Sequence, residues 1–233
     1  MKAPGDRPQP VLPGLFEERE GAAQETMAFL LRLRARGIAD VSVLRALETV
    51  PRLAFVSHRY ADLALRDMAL PISCGQTIPE PYLVARTLEA LDLEPSHRVL
   101  EIGTGSGYST ALLARLAGEV ISYERFQTLA LEARIRLARL GVTNARVIWG
   151  DGLAEAANEG LFDRILLQGS LKGALPTAVM DLLGARGVAI YGRTGDGAPG
   201  EFVRIADCDG GLTESVVGLC RTGPLVPGKS LSL

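Results

Sequence analysis

Val99-Leu100-Glu101-Ile102-Gly103-Thr104-Gly105-Ser106-Gly107-Tyr108 is the stretch that decides the fold. An apolar run from Arg98 to Ile102 breaks into three glycines, each two residues from the next, and a helical pattern opens at about Ser109. A buried strand, a glycine turn and a helix in that order form the opening unit of a doubly wound sheet, whose ligands sit outside the carboxyl ends of the strands. The spacing is GxGxG; Tyr108 stands where dinucleotide enzymes carry a third glycine. A carboxylate at Glu101 would repel a pyrophosphate and attract an ammonium or sulfonium. Taken alone, the glycines are weak evidence, since an ordinary tight turn also uses them.

Downstream, strand-like runs recur at Val120 to Tyr123, Arg146 to Trp149, Arg164 to Leu167 and Val188 to Tyr191. Helical patterns separate them, most clearly Phe126, Leu129, Ala133, Leu137 and Leu140, with Arg134, Arg136 and Arg139 expected to face solvent. Such alternation predicts a parallel sheet with helices on both faces. Two further runs, Phe202 to Ala206 and Glu214 to Leu219, have no helix between them and predict an antiparallel edge hairpin turning at Asp209-Gly210-Gly211. The fold class is therefore α/β, Rossmann-like, with a mostly parallel seven-stranded sheet.

Two more acids end strands. Glu124 follows Gly103 by 21 residues, the place from which a carboxylate accepts from ribose hydroxyls. Asp151 sits inside Gly150-Asp151-Gly152, where it can accept from an adenine amine while the glycines admit the flat ring. Singly, either acid reads equally well as a helix cap. Together, three acids ending three consecutive strands have one economical ligand: adenine, ribose and a cationic amino-acid tail, which is S-adenosylmethionine.

The N-terminal third is different in kind. Pro4, Pro8, Pro10 and Pro13 predict a mobile arm over 1–14. Over 15–95 a helical extension is expected: Met27, Leu30, Leu31 and Arg34 fall at helical spacing, Gly37 ends that segment, and Asp40 caps a helix from Val41 to Val50 that Pro51 stops. A loop from Leu70 to Glu80 follows, and Pro81 opens a helix to about Leu91. Residues 96–233 then form the cofactor-binding core.

Composition narrows the function further. Of 233 residues, 47% are hydrophobic and 22% charged, enough for a real core, and the net charge of −2 argues against a broad nucleic-acid footprint. No apolar run is long enough to span a membrane, and no apolar segment of the kind found in secretory leaders follows Met1-Lys2. Three cysteines and two histidines, widely spaced, offer neither a disulfide ladder nor a metal clip. A cytoplasmic protein without a metal is expected.

The segment from Glu101 to Tyr108 resembles the first motif of class I methyltransferases, in the form used by protein-L-isoaspartate (D-aspartate) O-methyltransferases. Val50-Pro51-Arg52 with Phe55-Val56, Leu70-Pro71-Ile72, Gly75-Gln76-Thr77-Ile78 with Pro81-Tyr82, Gly150-Asp151-Gly152 and Pro224-Leu225-Val226-Pro227-Gly228 are similar to that family in order and spacing. The resemblance implies S-adenosylmethionine held by Gln76, Thr77, Ile78, Glu101, Gly103, Thr104, Gly105, Ser106, Gly107, Tyr108, Glu124, Arg125, Asp151, Gly152 and Gln168. It implies methyl transfer beside Thr77, Ile78, Pro79 and Glu80, to an isoaspartyl or aspartyl carboxylate of a protein or peptide.

Three departures fall where the family lines its acceptor pocket. Pro79 replaces a serine, Gln168-Gly169-Ser170-Leu171 replaces a Thr-Ala-Ala-like run, and Ile190-Tyr191-Gly192 replaces Pro-Val-Gly. A carboxylate acceptor, with a reference pKa near ~4, is ionised at neutral pH and needs no base, so losing the serine costs an orienting hydrogen bond of about 1 kcal/mol. Ser170 and Tyr191 are the candidate replacements. Glu80 either faces the pocket, as a repulsive charge or a base, or faces away and favours the following helix. The alternatives to carboxyl methylation are a hydroxyl or amine acceptor on a small molecule or peptide natural product, or a cofactor-binding protein without catalysis.

Overall fold

The computed structural model describes residues 13–195, 200–208 and 211–230. Helix α1 spans Pro13–Ala35, so the expected arm over 1–14 gives way to helix at Pro13; residues 1–12 lie outside the described residues. Helix α2 covers Val41–Thr49, and the Asp40 carboxylate accepts from the Ser42 and Val43 amides, the N-cap bond its position predicts. After short 3₁₀ turns at Arg52–Phe55 and His58–Leu63, β1 (Leu70–Pro71) pairs antiparallel with β2 (Thr77–Ile78) across a turn at Ser73–Gly75. Helix α3, Pro81–Leu91, starts with proline in its first turn, where a missing N–H costs nothing.

The core sheet is built from β3 (Arg98–Ile102), β4 (Glu119–Glu124), β5 (Ala145–Trp149), β6 (Phe162–Lys172), β7 (Leu183–Thr194), β8 (Glu201–Cys208) and β9 (Gly211–Leu219). Its spatial order is β5-β4-β3-β6-β7-β8-β9; the first five are parallel, and β8 and β9 run antiparallel at one edge. The order reverses beside β3, which puts the ligand crevice at the carboxyl ends of β3, β4 and β6. Asp209 and Gly210 of the expected hairpin turn lie outside the described residues. Helices α4 (Tyr108–Leu116), α5 (Gln127–Arg139), α6 (Gly152–Glu155) and α7 (Thr177–Met180) complete the crossovers.

Alternation along the strands splits the core in two. Val99, Val120, Leu166 and Val188 join the buried residues of α2 to α5 on one face, while Leu100, Ile121, Ile165 and Ala189 pack with Ala156 and Val179 on the other. Helix α1 docks on the first face through Phe29 and Leu33, 3% and 2% exposed. Met27 and Leu31 of the expected stripe are 65% and 58% exposed, so the buried row is displaced by two positions from them. On α5, Arg134 and Arg139 are exposed as expected, Arg134 also donating to the Val147 carbonyl at the sheet edge, whereas Arg136 is half-buried and donates to the Ser106 carbonyl. Among the described residues no helix is long and apolar enough to cross a membrane.

Candidate active site

At the end of β3 the chain turns through Gly103, Gly105 and Gly107, all at positive φ. Gly103 shows why: at φ +100 a Cβ would stand 3.1 Å from the Gln168 side chain on the neighbouring strand β6. The Gly103 and Thr104 amides both donate to the Tyr123 carbonyl of β4, closing the turn over the strand ends. In front of it lies a cleft of about 850 Å³, part of it open to solvent. Its walls are the turn itself, the ends of β4 and β6, the loop Gln76–Pro79 and the C-terminal segment Thr222–Val226.

The structure brings most of the sequence-read residues to this cleft. Gln76, Thr77, Ile78, Pro79, Gly103, Thr104, Gly105, Ser106, Tyr108, Glu124, Arg125 and Gln168 all line it. Gly107 lies just behind the wall, capping α4. Glu124 is 4% exposed, and its two oxygens accept from the Gly105 amide at 2.8 Å and the Phe126 amide at 2.9 Å. Burial raises its carboxyl, and the Phe126, Gly105 and Arg125 backbone amides pull it back.

Glu101 is fully buried and does not reach the cleft. Its oxygens accept from Thr110 at 2.5 Å, Ser122 at 2.6 Å and Gln168 Nε2 at 3.2 Å, so it acts on the cleft through the Gln168 amide. Burial pushes this carboxyl up to about 7; the Ser122, Thr110 and Gln168 bonds oppose that shift and the Glu124 charge adds to it. Folding therefore favours the protonated form, and this group's contribution to stability is fully present below about pH 4.5 and lost as pH rises through about 7. Glu101→Gln is expected to remove the dependence. Its stability relative to the parent should rise by up to about 3 kcal/mol between pH 5 and 8, read by denaturant titration at each pH. A difference that stays flat across that range would contradict the assignment.

Asp151 and Gly152 line a smaller adjoining cavity of about 280 Å³, which shares Gly103, Arg125, Leu225 and Val226 with the main cleft. Asp151 is a cap as well: one oxygen accepts from Leu153 at the start of α6, and the other takes the Gly228 amide at 2.7 Å. A carboxylate has lone pairs left for a further donor. Glu80 is half-buried, caps α3 through its backbone carbonyl and is absent from the cleft wall; its charge faces Arg52. Ser170 and Tyr191 are 5% and 1% exposed and also stand off the wall, and the Ser170 hydroxyl points at the Thr222 carbonyl.

Ser109, Phe126, Thr222 and Gly223, not read from the sequence, complete the wall with Gly169 and with the rest of the Thr222–Val226 segment, Pro224, Leu225 and Val226, which the motifs named without placing at the cofactor. That segment is bolted down by Ser170 N–H donating to the Gly223 carbonyl, Leu225 N–H to the Ser170 carbonyl, and Arg125 Nε to the Gly228 carbonyl. The Pro224–Gly228 motif was the available signal for it; nothing local placed it on the strand ends.

The sequence matches the family model described as protein-L-isoaspartate(D-aspartate) O-methyltransferase (PCMT) over residues 24–191. The chain belongs to this family. A protein-L-isoaspartate O-methyltransferase 2 from Rhodopseudomonas palustris (strain HaA2) is 46% identical over 204 residues, 88% of this chain and 94% of that one. A relative from Xanthobacter autotrophicus, named protein-L-isoaspartate O-methyltransferase, is 43% identical over 219 residues, 93% of this chain and 98% of its own. Among solved structures, a beta-aspartate methyltransferase (PCMT) from Plasmodium falciparum in complex with S-adenosyl-L-homocysteine superposes with a TM-score of 0.73 at 25% identity, covering 85% of this chain and 97% of that chain. Another solved chain, 22% identical with a TM-score of 0.76, shows the same fold. The PCMT match thus takes in the glycine turn, Glu124, the Gly150–Gly152 turn and the Gln76–Pro79 loop, but ends before the Thr222–Val226 wall.

Proposed function

We propose that the chain is an S-adenosylmethionine-dependent protein carboxyl O-methyltransferase acting on isoaspartyl residues of proteins or peptides. The observation that carries this reading is a single cleft in which the glycine turn and Glu124 face the Gln76–Pro79 loop. The donor set fits the cofactor. A buried carboxylate at Glu124 suits ribose hydroxyls, Gln168 is held by Glu101, and Tyr108 lines the wall with its buried hydroxyl unpartnered among the described residues. S-adenosylmethionine bound here supplies a methyl group activated on a sulfonium.

The chain's own residues then have positioning work to do. An isoaspartyl carboxylate is ionised at neutral pH, so no side chain has to remove a proton, and Glu80 off the wall is no loss. The Gln76–Pro79 loop and the Thr222–Val226 segment both wall the cleft, which orients an acceptor and sheds water. Against a protein that only binds cofactor stands this acceptor side, where Thr77, Ile78 and Pro79 share the cleft with the cofactor residues.

The test is transfer of labelled methyl from S-adenosylmethionine to an isoaspartyl peptide. Label released as methanol by mild base is the expected result, with the normal aspartyl peptide at least roughly tenfold poorer. No transfer to the isoaspartyl peptide by protein that still binds S-adenosylhomocysteine would refute the reading.

A further inference from the structure

We infer that the hydroxyl of Thr222 orients the acceptor carboxylate; the inference rests on the carboxyl-methylation reading above. A carboxylate held for displacement needs a hydrogen-bond donor, and Ile78 and Pro79 offer none from their side chains or, at Pro79, from the backbone. The other hydroxyls on the wall belong to the cofactor turn and α4 or to the loop. Thr104 is bonded to Ser122 at 2.6 Å, and Ser106 accepts from the Tyr108 amide. Thr77 is exposed on a two-residue strand. Thr222 is half-buried and sits between two anchors.

Those anchors involve Gln168–Leu171 and Ile190–Gly192, the runs read from the sequence as departures from the family pattern. Ser170 holds Gly223 and Leu225 through its backbone, and its hydroxyl reaches the Thr222 carbonyl. Cys220, 8% exposed, lies so close to Gly192 that a Cβ there would come within 2.5 Å of its sulfur. A Cβ on Gly169 would likewise meet Leu225 Cγ at 2.7 Å. The two glycines thus admit the segment that presents Thr222, and larger residues at 169 or 192 would lift it. Cys220 Sγ is 3.1 Å from Thr222 Oγ1; a thiol donating to Oγ1 leaves the hydroxyl proton for the acceptor. Thr222 is in this account a specificity-determining residue on a rigid wall.

The measurement is steady-state kinetics on an isoaspartyl peptide, with S-adenosylhomocysteine affinity by calorimetry. Thr222→Val keeps the shape and is expected to lower kcat/KM roughly five- to tenfold, with S-adenosylhomocysteine affinity unchanged within about twofold. Thr222→Ser should retain the parent's value. Pro79→Ser puts a hydroxyl on the loop that shares the cleft; added to Thr222→Val it should restore kcat/KM to within about twofold of the parent, a larger gain than it makes in the parent itself. A Thr222→Val enzyme within about twofold of the parent overturns the inference, as does a Pro79→Ser gain of equal size in both backgrounds. So does Thr77→Val producing the loss that Thr222→Val does not. If the parent itself fails on the isoaspartyl peptide while binding S-adenosylhomocysteine, the methylation reading falls and this inference with it; an active parent with an unaffected Thr222→Val removes only the inference.

Discussion

Glu124→Ala is expected to weaken S-adenosylhomocysteine binding by about 100-fold or more. The side chain is 4% exposed at the end of β4, and its oxygens tie the Gly105 and Phe126 amides, one on each side of the cleft's floor. Charge-assisted bonds of this kind contribute about 1.5–3 kcal/mol each, and truncation removes both ties together with the acceptors offered to ribose hydroxyls. Two losses add, because the glycine turn is freed at the same time as the ligand contact disappears. Glu124→Gln keeps one acceptor but sets an amide NH₂ against a backbone N–H, so a loss of roughly tenfold is expected. Calorimetry gives the affinities, and thermal unfolding of the ligand-free variants separates binding from folding. An affinity within about threefold of the parent would reduce Glu124 to a loop tie alone and overturn its role in holding the cofactor.

How far such a site can be read without coordinates depends on whether its parts are local. Strand β3 and helix α3 run over Arg98–Ile102 and Pro81–Leu91, the spans their patterns predict, because apolar period, glycine turn and proline start all lie within the segment. Strands β6 and β7 run longer than read, to Phe162–Lys172 and Leu183–Thr194. Their register shifts between Leu166 and Ser170, and the irregular stretch carries Gln168 and Gly169 to the cleft. No alternation marks such a bulge in sequence. On α1, Phe29/Leu33 and Met27/Leu31 are both apolar pairs four apart, and docking decides which is buried. The Thr222–Val226 wall is less legible still, since its position comes from bonds to Ser170 and Arg125 rather than from any period of its own. Similarly, Ser170 and Tyr191 were candidates for a lost hydroxyl because residue type can be read from sequence, whereas the direction a side chain faces at a strand end cannot.

Arg52 is the residue whose type misleads most, and its removal should have the largest effect on the fold. A charged residue after proline in a short turn reads as surface, yet Arg52 is 2% exposed. Its guanidinium donates to the carbonyls of Ala64 at 2.9 Å, Met68 at 3.0 Å and Pro79 at 2.9 Å. These carbonyls lie outside the helices and the sevenfold sheet, so one fork closes three irregular segments at once. Burial lowers its pKa, opposed by its surroundings at Tyr108, Asp67 and Glu80. Pro79 cannot donate a backbone hydrogen bond, so this contact with its carbonyl adds to the β1–β2 pairing in holding the end of the acceptor loop. Arg52→Ala would leave three carbonyls without their donor and a cavity beneath them, an expected cost of about 3–5 kcal/mol. In a chain of this size that lowers Tm by roughly 6–20 °C. Arg52→Lys can reach one carbonyl at a time and should recover less than half of the loss. In the Lys variant, kcat/KM for the isoaspartyl peptide should fall further than S-adenosylhomocysteine affinity, because the loop it loosens is an acceptor wall; equal losses in both would make Arg52 a general support of the fold and not a positioning residue for Pro79. An Ala variant within about 1 kcal/mol of the parent would show that the three segments hold their places without it.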